Sequence, residues 1–215
     1  RGEVSDEEMV AYLGHCLTDI PSKRPSIETL MHRVLPFEHI DHTHADYILW
    51  FACTDTGMKL AQDLFQDEMV WIPYHRPGFT LAKQVSEAVR MNPKAKCVIL
   101  EKHGFLSWGK TSKECYHSTL GYLQKAEKLV HHRITSTSTA RFEIPLPRKE
   151  VAGEIMPALR GAVSRLRPMV LHLDDSPEVL SFVSDPRHRD LAQVGAACPD
   201  HLVSTKTTPF FSSWD

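Results

Sequence analysis

Hydrophobic and polar positions along this chain follow two periods, one typical of strands and the other typical of helices. Short apolar runs at residues 69–73, 96–101 and 104–108 predict strands. The segments 80–91 and 112–133 instead have apolar positions at helical spacing. This alternation of strands and helices predicts an α/β fold in which helices pack on a sheet.

The first part of the chain has boundary signals for five further elements. They are a helix to about residue 17 after the capping-box pair Ser5 and Glu8, a short helix from Ser26, a strand over 38–44, a helix over 45–53, and a helix from the predicted cap Asp55 to about residue 65. Glu28 then lies in the first turn of the short helix, where the helix dipole stabilises a carboxylate.

The second half of the chain contains one internal boundary. The stretch 134–148 has neither period and includes Ser-Thr-Ser-Thr and two prolines, which predicts a surface linker. We therefore expect a core over 1–133, with its N-terminal part incomplete, and a C-terminal α/β lobe over 149–215 that completes the same domain. The pattern of that lobe predicts a helix over 150–166, a strand over 168–173, a helix over 177–183 capped by Ser176, and an extended tail from Cys198.

Composition and charge narrow the classes of partner. The chain has 215 residues, of which 42% are hydrophobic, and this is enough for a substantial core. Lys and Arg total 25 against 27 Asp and Glu, so we expect neither nucleic acid nor an anionic membrane as a partner. The longest apolar run, residues 47–53, is far shorter than the roughly 20 residues needed to cross a bilayer. Five scattered cysteines without a CxxC spacing indicate reduced thiols in a cytoplasmic protein.

The strongest candidates for chemistry are three histidines. On a strand, residues i and i+2 share a face, so His42 and His44 can direct both imidazoles toward one metal ion. His103 follows an apolar strand and precedes Gly104, where the backbone can turn tightly, and α/β folds place their sites at strand ends. The pattern alone is equally compatible with two solvated histidines and an ordinary strand-end histidine.

Three neutral imidazoles without a fourth protein ligand leave an open coordination position. That arrangement is typical of a catalytic metal rather than a structural one, and such a metal acts as a Lewis acid toward a substrate oxygen. Zinc is the first candidate, although manganese, iron and cobalt also accept three imidazoles. Asp41 and Asp46 are candidates for orienting the ligand rings, although acids near a strand end are more often solvated.

Three separate motifs resemble those of the class II aldolase/adducin family. They are Pro-Ser-Ile-Glu-Thr at 25–29, the segment 39–46 with its His-x-His, and Glu-Lys-His-Gly at 101–104. Three more segments resemble one branch of that family, the aldolase domain of the bifunctional rhamnulose-1-phosphate aldolase/short-chain alcohol dehydrogenases: 71–79, 172–177 and 198–201. The resemblance covers in effect the whole chain, as the aldolase part alone.

This resemblance implies a fold, a cofactor and site residues. The fold is an α/β/α sandwich around a mainly antiparallel sheet, and the chain is expected to form a homo-oligomer, as the simpler aldolases do. His42, His44 and His103 would be the ligands of zinc or another divalent metal, and Glu28 the catalytic acid/base. Without the resemblance, Glu28 would be interpreted as a plain helix-terminal glutamate that stabilises the dipole.

The implied activity is the cleavage of a small-molecule sugar phosphate. A ketose 1-phosphate such as rhamnulose 1-phosphate would give dihydroxyacetone phosphate and lactaldehyde through a metal-stabilised enediolate. A sugar-phosphate epimerase or dehydratase of the same fold is one alternative, because the same metal chemistry serves it. A non-catalytic, adducin-like assembly module is another, for which we expect an incomplete histidine triad.

Two parts of the family pattern have no counterpart in this chain. The family's phosphate-binding loops lie upstream of the motif at Glu28, and the ten glycines here are scattered. Dehydrogenase signatures such as GxGxxG are also absent. We therefore expect the parent protein to have preceding residues, and the isolated chain to be weakly active.

Overall fold

The structure is a computed structural model that describes residues 4–19, 22–136 and 148–211. Its residues fall into two compact units, Arg1–Ser136 with Ala196–Lys206 and Thr137–Gly195 with Thr207–Asp215. Residues 137–147 of the predicted linker lie outside the described residues, while 134–136 belong to a helix. The domain boundaries given above stay predictions.

The described residues form a sheet and a set of helices. The strands are β1 (His39–Thr43), β2 (Met69–Ile72), β3 (Cys97–Leu100) and β4 (Gly104–Gly109). The helices are α1 (Asp6–His15), α2 (Thr29–Val34), α3 (Asp46–Ala52), α4 (Gly57–Phe65), α5 (Phe79–Met91), α6 (Ser112–Ser136), α7 (Arg148–Val163), α8 (Pro177–Ser184), α9 (His188–Gln193) and α10 (Pro199–Ser204), with a 3-10 turn at Gln66–Glu68. Within this described part, each helix is too short or too polar to cross a membrane.

The four strands form one mixed sheet in the order β1-β4-β3-β2. β1 pairs with β4, and β4 with β3, in antiparallel orientation, whereas β2 and β3 run parallel. The parallel pairing follows from its connection, because α5 crosses over between the two strands and returns the chain to the starting end of the sheet. The predicted α/β fold with a mainly antiparallel sheet is thus confirmed.

Helices cover both faces of the sheet. On one face, α5 and the strands share a buried cluster that includes Leu81, Val85, Val98, Leu100 and Leu106. On the other face, α3, α4, α6 and the strands contribute Phe51, Phe65, Ile99, Phe105 and Tyr122. Successive strand residues point to opposite faces, so a strand that is apolar at every position needs a helix on each side. The result is the α/β/α arrangement that the resemblance implies.

Helix α4 begins differently from the sequence prediction. Its N-cap residue is Thr56, and no side chain caps its first turn, so the assignment of Asp55 as the cap is wrong. Gly57 opens the helix in close contact with α3, since a Cβ there would lie 1.7 Å from the backbone oxygen of Phe51. Packing against α3 therefore decides where α4 starts.

Two predictions for the C-terminal region are wrong. Residues 168–173 form no strand, and the guanidinium Nε of Arg160 donates a hydrogen bond to the carbonyl of Met169 at 3.0 Å. The tail from Cys198 is not extended, because α10 begins at Pro199, a residue type suited to the first position of a helix. A strand needs a neighbouring strand for its hydrogen bonds, and a local pattern does not report whether one is available.

Candidate metal centre

Three histidines converge at one end of the sheet. His42 lies in β1, His44 follows that strand, and His103 is in the turn that joins β3 to β4. Because β1 and β4 are antiparallel, with His42 opposite Leu106, the turn before β4 lies beside the end of β1. The i and i+2 spacing places His42 and His44 on the same side of the chain, as predicted.

The three rings are close enough to share one ion. Their centroids are 4.8 Å apart for His42 and His44, and 5.1 Å apart for each of these rings and His103. One ligand atom from each histidine and one from Glu28 all lie within 4.8 Å of one another. The structure thus brings together all four residues predicted for the site, and their roles as ligands and acid/base stay predictions.

Glu28 reaches this cluster from the start of α2. It is the N-cap residue rather than a first-turn residue, because α2 begins later than expected, and its side chain makes no capping bond. Its Oε1 is 2.7 Å from Nε2 of His103, and its Oε2 is 3.5 Å from Nε2 of His42. The predicted first-turn position is therefore wrong, and the carboxylate faces the histidines instead of the free N–H groups of the helix.

The Glu28 carboxylate is held in its ionised form. Burial raises the pKa of Glu28, but the hydrogen bond from His103 at 2.7 Å and the nearby imidazole of His42 lower it by more than burial raises it. The pKa therefore lies well below the ordinary carboxyl value. An ionised carboxylate both accepts a proton and binds a cation, so its position suits either role.

Hydrogen bonds define which ring nitrogens of His42 and His44 carry protons. Nδ1 of His42 is 2.9 Å from the carbonyl oxygen of Phe105, which only accepts, so this Nδ1 holds the proton. Nδ1 of His44 donates in the same way to a carboxylate oxygen of Asp200 at 2.7 Å. Each neutral ring then has a lone pair on Nε2, and the two Nε2 atoms face each other at 3.2 Å. Two facing lone pairs repel, and a cation bound by both removes that repulsion.

The spacing of these atoms fits a metal ion. Tetrahedral zinc binds nitrogen and oxygen ligands at about 2.0–2.2 Å, which separates neighbouring ligand atoms by about 3.4 Å. The corresponding distances are 3.2 Å between the Nε2 atoms of His42 and His44 and 3.5 Å from Nε2 of His42 to Oε2 of Glu28. Nε2 of His103 and Oε1 of Glu28 are closer, at 2.7 Å, because a hydrogen bond joins them. Three imidazole nitrogens and a carboxylate are a donor set that zinc and other divalent transition metals bind. The residues present therefore fit a divalent metal.

His103 is the most buried member of the cluster. Its side chain is 2% exposed, and its Nδ1 has no hydrogen-bond partner among the described residues. In the absence of an ion, its Nε2–H is the donor to Glu28 at 2.7 Å. An ion on Nε2 would replace that proton and keep a positive charge beside the carboxylate.

The turn that presents His103 differs from the prediction. Its left-handed residue is Lys102, with φ of 53°, so the expectation that Gly104 makes the tight turn is wrong. The backbone N–H of His103 donates to the carbonyl of Leu100 at 3.1 Å, and that of Lys102 donates to the carbonyl of Ala52 at 2.9 Å. The second bond anchors the turn to the end of α3, the helix that follows His44.

Neither acidic residue considered for orienting a ligand ring does so in the described residues, and exposed Asp46 fits the solvated alternative. Asp41 accepts a hydrogen bond from Thr119 at 2.9 Å, and neither it nor Asp46 bonds to a ligand ring in the described residues. The carboxylate that orients a ring is that of Asp200 in α10. Its one sequence signal is the Cys-Pro-Asp-His segment at 198–201, whose resemblance to the family implies no role for Asp200. A separation of 156 residues from His44 leaves no local pattern that pairs them.

An α/β/α fold with three histidines and a glutamate at one end of its sheet is what the class II aldolase motifs imply, and comparison with known families gives the same class. Residues 2–129 match the family described as Class II Aldolase and Adducin N-terminal domain, and residues 150–215 match the one described as Aldolase class II, second domain. The chain therefore belongs to the class II aldolase/adducin family, as its motifs indicate. Class II aldolases are metal-dependent, and the cluster of three histidines and Glu28 is able to hold such a metal.

Curated relatives of the chain are longer proteins with several names. The chain is 47% identical over 221 residues to a Bacillus subtilis (strain 168) protein named Uncharacterized oxidoreductase YuxG. This similarity covers 100% of this chain and 32% of that protein. It is 30% identical over 155 residues to the Probable bifunctional methylthioribulose-1-phosphate dehydratase/enolase-phosphatase E1 of Sorghum bicolor. Here the similarity covers 66% of this chain and 28% of that protein. The chain thus spans about a third or less of the length of these relatives.

A solved structure has the same fold. It is the N-terminal class II aldolase domain of a conserved protein from Thermoplasma acidophilum, which is 34% identical to this chain with a TM-score of 0.55. The similarity covers 60% of this chain and 59% of that one. It supports the class II aldolase fold described above.

Proposed function

We propose that this chain is the aldolase part of a zinc-dependent enzyme that cleaves a ketose 1-phosphate, such as rhamnulose 1-phosphate, to dihydroxyacetone phosphate and lactaldehyde. One observation carries the proposal. The Nε2 lone pairs of His42 and His44 face each other at 3.2 Å, next to His103 and an ionised Glu28. The three imidazoles are suited to hold a divalent cation with a position left for substrate, and Glu28 stands beside that position.

In this proposal the histidines hold the metal ion and Glu28 transfers a proton. His42, His44 and His103 would hold a divalent ion, which when bound would supply positive charge to polarise the carbonyl and hydroxyl oxygens of the substrate. The bonds from Nδ1 of His42 to Phe105 and from Nδ1 of His44 to Asp200 keep both rings oriented. Glu28 stands beside the same position and is the group available for proton transfer.

The protons lost and gained by the substrate during cleavage define the role that we propose for Glu28. During cleavage the hydroxyl on C4 loses its proton as the C3–C4 bond breaks, and C3 gains a proton to complete dihydroxyacetone phosphate. We assign both transfers to Glu28: its ionised carboxylate takes the proton of the C4 hydroxyl and then delivers it to C3, and the reverse reaction runs these transfers backwards. The lowered pKa keeps the Glu28 carboxylate ionised, which is the form that accepts a proton.

A dehydratase is the second candidate function. The observation that favours it is the similarity to proteins named as probable methylthioribulose-1-phosphate dehydratases. A dehydratase would eliminate water from a sugar phosphate and leave its carbon chain intact. An epimerase would use the same centre, whereas a purely adducin-like assembly module has no need of three histidines and a glutamate around one point.

The setting of the domain is also a proposal. Similarity over the whole chain to a longer protein named as an oxidoreductase supports an oxidoreductase domain in the same polypeptide. The resemblance to simpler aldolases supports a homo-oligomer. All five cysteines are free, which supports a cytoplasmic location.

Two products distinguish the candidate functions. The zinc-loaded chain is incubated separately with rhamnulose 1-phosphate and with methylthioribulose 1-phosphate. The protein concentration is comparable to that of the substrate, so that even a single turnover is visible. We expect dihydroxyacetone phosphate from the first substrate, and no product from a His44→Ala control. A dehydrated ketone without dihydroxyacetone phosphate would contradict the aldolase and support the dehydratase. Failure of the zinc-loaded chain to alter either sugar would contradict both.

A further inference from the structure

A carboxylate from the far end of the chain holds one ring of the candidate metal centre. Oδ2 of Asp200 is 2.7 Å from Nδ1 of His44, and the two residues are 156 positions apart. We propose that Asp200 is a positioning residue, which holds His44 in the orientation and tautomer that leave Nε2 free for the metal. This inference rests on the metal site of the proposed function.

The segment that carries Asp200 is attached to the helix that follows His44. The thiol of Cys53, the C-cap residue of α3, donates to the carbonyl of Ala197 at 3.3 Å. Burial raises the pKa of the Cys53 thiol, so it keeps the proton that it donates. Cys198 is buried, and its thiol lies 3.9 Å from Oδ2 of Asp200. Both ends of the His44–Asp200 hydrogen bond are thus anchored to α3.

His44 differs from the other two histidines in the charge of its partner. Nδ1 of His42 is held by a neutral backbone carbonyl, and Nδ1 of His103 has no partner among the described residues. A carboxylate on Nδ1 raises the basicity of Nε2 and strengthens its bond to a metal. Together with Glu28, Asp200 also places two negative charges near the point where a divalent cation would sit. Asp200 is therefore expected to matter for metal affinity more than its surface position suggests.

The exposure of Asp200 makes the inference easy to test. Its side chain is 67% exposed, whereas that of His44 is 13% exposed. Substitution of this exposed side chain is expected to leave the fold intact, since even a fully charged pair at an exposed position contributes little to stability. An effect on the metal site can then be separated from unfolding.

The experiment compares Asp200→Ala and Asp200→Asn with the parent chain and with a matched control. The control is Asp46→Asn, which removes one negative charge near His44 without removing a bond to its ring. Zn²⁺ affinity is measured by competition with a chelator. We expect Asp200→Ala to bind Zn²⁺ about 10-fold to 100-fold more weakly than the parent. Asp200→Asn should recover part of this loss, because its amide oxygen can still accept the hydrogen bond from His44. Asp46→Asn should stay within about threefold of the parent affinity, because the His44 ring is still held by Asp200.

A second measurement reads the ring itself in the metal-free protein. At about pH 8, above the ordinary imidazole pKa of about 6.5, two-bond 1H–15N NMR correlations report which nitrogen of His44 is protonated. We expect protonation on Nδ1 in the parent chain and a mixture of tautomers in Asp200→Ala.

The two measurements fail in distinguishable ways. Absence of Zn²⁺ binding by the parent chain would overturn the proposed function, and the NMR result would still decide whether Asp200 sets the tautomer. If the parent bound Zn²⁺ and Asp200→Ala bound it equally well, or lost no more affinity than Asp46→Asn, the positioning role would be overturned while the metal centre stood. An unchanged His44 tautomer in Asp200→Ala would overturn it as well.

Discussion

Gly104 lies so close to His44 that no side chain fits between them. A Cβ at Gly104 would be 2.6 Å from Cδ2 of the His44 ring and 2.6 Å from the backbone oxygen of Thr43. Gly104 is the first residue of β4, and His44 follows β1, the strand that pairs with β4. The missing side chain is what allows the ring to lie against the sheet beside His42 and His103.

We predict that Gly104→Ala disturbs both stability and metal binding. The added methyl group must displace the ring or the backbone, and overpacking of this kind costs about 1–3 kcal/mol. Urea unfolding measures the first effect and Zn²⁺ titration the second. Gly121→Ala in α6 is the control, because a Cβ there meets nothing within 4 Å, and it should not destabilise the protein. Equal stability and Zn²⁺ affinity in Gly104→Ala and the parent would contradict the prediction.

The purified chain should contain close to one equivalent of a divalent transition metal. Three imidazole ligands release a metal only on chelation or at acid pH, where the ligands are protonated. Elemental analysis should show that His42→Ala and His103→Ala lose the metal, while His117→Ala on the exposed face of α6 retains it. A metal content that is unchanged in the first two variants would show that the histidines are not the ligands.

Glu28→Gln should abolish proton transfer and leave the fold intact. Glutamine has the same size but cannot accept a proton, and loss of a positioned acid/base lowers the rate by about 10² to 10⁴. In a fully active protein that contains this chain, both cleavage and exchange of the dihydroxyacetone phosphate proton with solvent should fall together. The exchange reaction isolates the proton step, because no carbon–carbon bond is broken.

A matched control separates this role from that of a helix-terminal charge. Glu114 lies in the first turn of α6, away from the histidines, and Glu114→Gln should lower stability by about 0.3–1 kcal/mol without a change in turnover. If Glu28→Gln behaved like Glu114→Gln, Glu28 would have only a structural role. Metal analysis of the Glu28→Gln protein also shows whether the carboxylate is needed as a ligand.

The carboxylate of Glu68 should make stability depend on pH. It accepts hydrogen bonds from Lys96 and, at 3.0 Å, from the hydroxyl of Tyr122. The Lys96 bond lowers the pKa of Glu68, burial opposes this, and the Tyr122 bond lowers it further, so the folded pKa lies below the unfolded value. Such a group stabilises the fold above the unfolded pKa of about 4.3 and loses that contribution as the pH falls through the folded pKa.

Glu68→Gln should therefore be less stable than the parent at neutral pH. Because the side chain is partly exposed, we expect a difference of about 0.2–1 kcal/mol in the free energy of unfolding. Denaturant unfolding across acid pH should show the two proteins converging below about pH 4.3. A difference that is independent of pH would contradict the assigned role of the charge.

Local patterns were sufficient for most of the sheet and the helices that cover it. The apolar runs of β2, β3 and β4 and the helical spacing of α5 and α6 predicted these elements to within a few residues. They did so because the directions of neighbouring side chains repeat with the period of the backbone itself. The same rule placed His42 and His44 on one side of the chain, the end of an apolar strand indicated His103, and the family motifs indicated the role of Glu28.

Only the tertiary structure decided which of these side chains meet. Glu28 and His103 are separated by 75 positions in the sequence, and His44 and Asp200 by 156. In the fold, a carboxylate oxygen and a ring nitrogen of each pair are 2.7 Å apart. Strand pairing between β1 and β4 and the attachment of α10 to α3 create these contacts, and neither is encoded in a local period. The local pattern of the tail predicts an extended segment and misses α10 for the same reason, since whether a segment pairs as a strand or packs as a helix depends on distant neighbours.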